Sequence, residues 1–116
     1  MDDVFDWLQE WYLAQCNGDW EHHAGISITS LDNPGWLVRI QLRGTALEHQ
    51  SFATIARGTS EDGWVLEAAD PAWLYCRVVT DAAADGPIFE GASGPLGLTK
   101  ILSLFREWSI QDDAKD

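Results

Sequence analysis

The sequence predicts an α+β domain: an antiparallel sheet of about four to six strands, with an N-terminal and a C-terminal helix packed on one face. Three observations point there. Apolar residues recur at three- and four-residue spacing near both ends of the chain. Between those ends they alternate with period two, and the alternating runs are separated by Gly, Pro, Asn and Asp. Helices set apart from a run of strands belong to an α+β layer arrangement.

The first helix is expected over residues 3–15, where Val4, Trp7, Leu8, Trp11, Tyr12 and Gln15 share one face. Asp2 or Asp3 can cap it, Asp6 suits the positive end of its dipole, and Asn17-Gly18 can close it. The stretch Gln15–Trp36 then joins helix to hairpin. Trp20 is expected to anchor that corner and Asp19 to accept backbone N–H groups, with Glu21 and His22 turned outward as contacts.

Gly25–Ser30 alternates as a strand. Asp32-Asn33-Pro34-Gly35 reads as a type II turn, in which Gly35 would supply the positive φ. Trp36, Val38, Ile40 and Leu42 alternate with Leu37, Arg39 and Gln41 in the paired strand. Residues 51–57 form a weaker strand. Trp64–Glu67 and Trp73–Val79 read as two more, residues 81–87 as a surface loop, and Ile88–Glu90 as a short last strand. Ser93 is expected to cap a final helix whose apolar face is Leu98, Ile101, Leu102, Phe105 and Trp108. The domain is placed at residues 1–111, with a charged tail at 112–116.

A chain of 116 residues buries about two-thirds of its unfolded surface and folds without metal or disulfide staples. Most of its seven tryptophans are expected in the core or lining a groove. Nineteen acids against seven Lys and Arg leave a net charge of −12. That charge argues against nucleic acid and against an anionic membrane as partners, and it favours a basic protein. Solubility alone is the competing explanation.

The acids come in blocks. Residues 1–21 hold six acids and no Lys or Arg, and residues 58–90 hold seven acids against Arg77 alone. Such blocks could build one negative face. The N-terminus lacks the basic and apolar regions of a signal peptide, and Cys16 and Cys76 follow no metal or redox spacing. The expectation is a cytoplasmic protein with reduced thiols.

No catalytic, cofactor or metal site is expected. Glu21-His22-His23 invites a metal, yet neighbours on a strand point to opposite faces and cannot share one ion. Cys16 closes a helix, the wrong end of the dipole for a reactive thiolate. No GxSxG elbow, phosphate loop or HExxH is present. The residues put forward for partner binding are Asp19, Glu21, His22, Glu61 and Asp62. One alternative is a small-molecule-binding or enzymatic domain with a pocket lined by Trp20, Trp36 or Trp64 and a polar His22 or His49. Another is a structural subunit.

The residues Trp7–Tyr12, Gln15-Cys16, Gly18-Asp19-Trp20-Glu21-His22, Gly25-Ile26 and Leu31-Asp32-Asn33-Pro34-Gly35-Trp36 form a distinctive series. It continues through Gly44-Thr45, Phe52, Cys76-Arg77-Val78, Phe89-Glu90-Gly91, Gly94-Pro95 and the Leu98–Trp108 helix. In these residues the sequence resembles the immunity protein 53 family of bacterial polymorphic-toxin systems. Residues 63–87 depart from the pattern, since Trp64 and Trp73 compete for one family tryptophan. The resemblance implies an inhibitor that binds a cognate toxin, and such toxins are often nucleases with cationic clefts. It carries over no catalytic residue.

Overall fold

The computed structural model describes residues 3–23, 25–81 and 86–114. Helix α1 spans Val4–Gln15, and the Asp3 carboxylate caps it by accepting from the Phe5 N–H at 3.0 Å. A single helical turn, α2 (Trp20–His23), follows. His22 and His23 therefore lie on a helix and not on a strand, and the expected geometry of that pair is corrected.

Strands β1 (Ile26–Leu31) and β2 (Gly35–Gln41) form the anticipated hairpin, in register Ile26 with Ile40 through Leu31 with Gly35. Its turn differs from expectation. The Asn33–Pro34 peptide is cis, and Gly35 does not take positive φ. Gly35 is needed for another reason: a Cβ there would collide with the Ser93 carbonyl oxygen.

Strand β3 is only Ile55–Arg57, shorter than the predicted 51–57. Trp64–Glu67 is not a strand; the segment makes one isolated bridge, Thr59 to Val65. Strand β4 (Leu74–Asp81) and strand β5 (Gly86–Ser93) are both longer than expected and take in both ends of the expected 81–87 loop, whose residues 82–85 lie outside the described part. Helix α3 runs Leu98–Ala114 and so takes in part of the stretch read as a tail. Ser93 does not cap it. Ser93 ends β5, is buried, and donates its hydroxyl to the Gly94 carbonyl.

The five strands are ordered β1-β2-β5-β4-β3, all antiparallel. The last strand in sequence thus lies at the centre. Val38, Ile40, Leu74, Cys76 and Phe89 face Leu8, Ile101, Leu102, Phe105 and Trp108, all buried in one core. Period two in the strands and period 3.6 in the helices bring these residues together. Burial pushes the Cys76 thiol up to about 12, which leaves it protonated and inert.

The core is aromatic where α1 meets α3. Phe105 lies 5.0 Å from the Trp11 ring, 5.1 Å from Phe89, 6.0 Å from Trp7 and 6.1 Å from Trp108. Both long helices serve this one face, as the two apolar stripes predicted. The opposite face carries Leu37, Arg39, Tyr75, Arg77, Glu90 and Ala92, all half-buried.

Candidate partner-binding surfaces

The first surface is the corner between α1 and β1. Asn17 Oδ1 accepts from the N–H groups of Asp19 at 2.9 Å and Trp20 at 3.0 Å, which starts α2. Glu21 answers from the other side: its two carboxylate oxygens accept from Asn17 N at 2.9 Å and Gly18 N at 2.8 Å. The Glu21 carboxyl is held below the usual carboxylate range, first by its own backbone N–H and then by those of Asn17 and Gly18, with burial opposing. Glu21 therefore holds the corner together with both of its oxygens.

Trp20 is buried beneath that corner, with its ring 6.0 Å from Trp11 and 5.6 Å from Tyr12, so the anchoring role expected of it is met. Asp19 and His22 are exposed. Asp19 and Trp20 line a recess of about 260 Å³ together with Arg43 and Glu48.

The second surface is the β3–β4 connection. Glu61 and Asp62 are exposed there. The Tyr75 hydroxyl donates to the Glu61 carbonyl at 3.0 Å, and Ser60 Oγ accepts from Asp62 N at 3.3 Å. Glu61 and Tyr75 share a recess of about 450 Å³ with Thr54 and Ala56. Among the described residues the two recesses have none in common. Arg43 follows the Gln41 end of β2, whereas Tyr75 lies in the row of Ala92 and Leu37, nearer the other end. The five candidate residues thus fall into two groups, Asp19, Glu21 and His22 at the corner and Glu61 and Asp62 on the β3–β4 connection.

Between the two groups the structure shows something the sequence reading missed. Strand register aligns Arg39, Glu90 and Arg77 across β2, β5 and β4 on the open face. Arg77 Nη2 sits 3.1 Å and Arg39 Nε 3.5 Å from the Glu90 carboxylate, and the Arg77 guanidinium lies 5.6 Å from the Tyr75 ring centre. Glu90 belongs to the acid block at residues 58–90, yet two arginines bracket it. Only the register, which alternation leaves open, reveals the row.

Trp20, Trp36 and Trp64 stand in three different settings. Trp20 packs on α1, Trp36 Nε1 donates to the Pro95 carbonyl at 3.0 Å, and Trp64 stands 76% exposed. His49 is exposed in the turn after β2. Among the described residues no group of three His, Cys, Asp or Glu could hold a metal ion, and no helix is long and apolar enough to cross a membrane.

A family model described as immunity protein 53 matches residues 5–110. The chain belongs to the immunity protein 53 family. The matched range begins within α1 and ends within α3, so it takes in the whole sheet and both candidate surfaces. Comparison with curated proteins and with solved structures finds no match. Membership in this immunity family assigns the chain a toxin-neutralising role and a cognate toxin as partner.

The bonding at the immunity protein's corner makes a pH prediction. Because the folded-state pKa of Glu21 is depressed, its stabilising contribution is complete above the ordinary carboxylate range. That contribution is lost as pH falls through the lowered folded value. Glu21→Gln is therefore expected to lower the urea midpoint at pH 7, and the gap to the parent protein should narrow near pH 3. Equal gaps at both pH values would remove the carboxylate from this role.

Proposed function

We propose that the protein neutralises a basic toxin domain of nuclease type by covering its substrate-binding surface with acidic surface, without any chemical step. Membership in the immunity protein 53 family over residues 5–110 carries the reading. The net charge of −12 supports the choice of a cationic target, because such a surface competes with nucleic acid for the same site and steers the encounter. Asp19 and His22 at the corner and Glu61 and Asp62 on the β3–β4 connection are the contact residues proposed. Glu21 contributes by holding Asn17 and Gly18 in place.

The test is capture of the toxin domain encoded beside this gene by the purified protein, with rescue of cells that express that toxin. Binding and rescue are the expected result; failure of both would overturn the reading. The affinity should weaken on the order of tenfold or more between about 0.05 M and about 0.5 M salt. An affinity that salt leaves unchanged would remove the electrostatic part while leaving the immunity role.

A further inference from the structure

The geometry points to the β3–β4 connection as the anchor of the toxin interface, with Trp64 and Leu66 inserting into an apolar recess of the toxin that is rimmed by Lys or Arg. This rests on the toxin-neutralising reading and names the surface that carries it out. Trp64 is 76% and Leu66 68% exposed. They are two residues apart on either side of Val65, which is half-buried and bridges to Thr59. Both large apolar side chains are thus left to solvent on either side of that bridge. A tryptophan buries roughly 150–250 Å² of surface when covered, and Trp is enriched among residues that dominate binding energy.

The display is built in advance. Ser60 N donates to the Trp64 carbonyl at 2.9 Å, and Leu66 N donates to the Gly58 carbonyl at 3.0 Å. Ser60 Oγ accepts from Trp64 N at 3.1 Å. Gly63 takes φ +91° and lies against the Tyr75 ring, where an added Cβ would sit 3.0 Å from it. Tyr75 also donates its hydroxyl to the Glu61 carbonyl, which ties the connection to β4. A segment held this way loses little conformational freedom on binding, so more of the apolar burial is retained as affinity.

Charge selects the occupant. Residues 58–72 hold Glu61, Asp62, Glu67 and Asp70 and no Lys or Arg. Glu61, Asp62 and Glu67 are exposed on the same connection as the indole. A second copy of this chain, itself at −12, would bring like charges to that rim, whereas a cationic partner brings opposite ones. The fit is an indole and a leucine entering an apolar recess, with three carboxylates meeting the basic rim.

The experiment is titration of the toxin domain encoded beside this gene with the parent protein, Trp64→Ala, the triple variant Glu61→Gln/Asp62→Asn/Glu67→Gln, and Leu13→Ala. Leu13 is 71% exposed on α1 and serves as the control for an equally exposed apolar residue elsewhere. Trp64→Ala is expected to weaken binding at least 30-fold with an unchanged unfolding midpoint. The triple variant should flatten the salt dependence, and Leu13→Ala should bind like the parent. If the parent binds and Trp64→Ala binds equally well, this inference falls and the toxin-neutralising reading stands. If Leu13→Ala loses as much affinity as Trp64→Ala, the anchor is not at this connection and the inference again falls alone. If the parent neither binds nor rescues, both fall together.

Discussion

Phe105→Ala is expected to cost about 3–5 kcal/mol, a large part of the roughly 5–15 kcal/mol available to a domain of this kind. The side chain is fully buried, and its ring touches four others: Trp7 and Trp11 on α1, Phe89 on β5, and Trp108 on its own helix. Removing it opens a cavity where both helices meet the sheet, and rigid indoles on three sides cannot collapse into the space. The melting temperature should fall on the order of 10 °C. Phe105→Leu, which keeps most of the volume, should cost only about 1–2 kcal/mol. Urea unfolding of the three proteins measures both. A loss below about 1 kcal/mol for the alanine variant would show that the aromatic cluster repacks, contrary to this account.

The second large effect is at Gly35. Gly35→Ala is expected to destabilise by about 3 kcal/mol or more, because the new methyl meets the Ser93 carbonyl oxygen and lies 3.5 Å from the Trp73 ring. The obstacle is backbone of the central strand, which no side-chain rotation relieves. Gly18 makes the contrast. It holds φ +89° with open space around it, so Gly18→Ala pays only the left-handed backbone term of about 1–2 kcal/mol. The two variants therefore separate a glycine required by close approach from one required by φ. Equal losses in urea unfolding would return Gly35 to the ordinary turn role that its Pro-Gly sequence suggests.

That contrast also shows what was legible in the sequence. Alternation in Trp36–Leu42 and the stripe Leu98–Trp108 reflect burial of one face, so the hairpin, the last helix and the covering of one sheet face could all be read directly. Strand β5 could not. GPIFEGAS is rich in Gly and Pro, and Gly91 is there because Ile101 and Cys76 close over it, a tertiary demand that looks locally like a loop. Trp64–Glu67 misled in the opposite sense: its residues favour strands, but Trp64 and Leu66 point out and Val65 bridges only Thr59.

The candidate surfaces divide along the same line. Asn17, Trp20 and Glu21 are close in sequence, so the corner they make was visible there, although the carboxylate of Glu21 proved to serve the backbone. The Arg39–Glu90–Arg77 row joins three strands and becomes visible only once pairing is known.

The central place of β5 bears on how the protein is made. The β1–β2 hairpin can form once Gln41 has been synthesised, but the strand that completes it ends at Ser93. At ordinary rates of translation the interval is roughly 3–10 s. Throughout it, β2 and then β4 present unpaired N–H and C=O groups along the edges that β5 will later fill, a template for pairing with other chains. A nascent chain of this topology therefore has an aggregation-prone interval set by the order of its strands. The β1–β2 and β3–β4 pairs cannot be joined before β5, the strand between them, has left the ribosome.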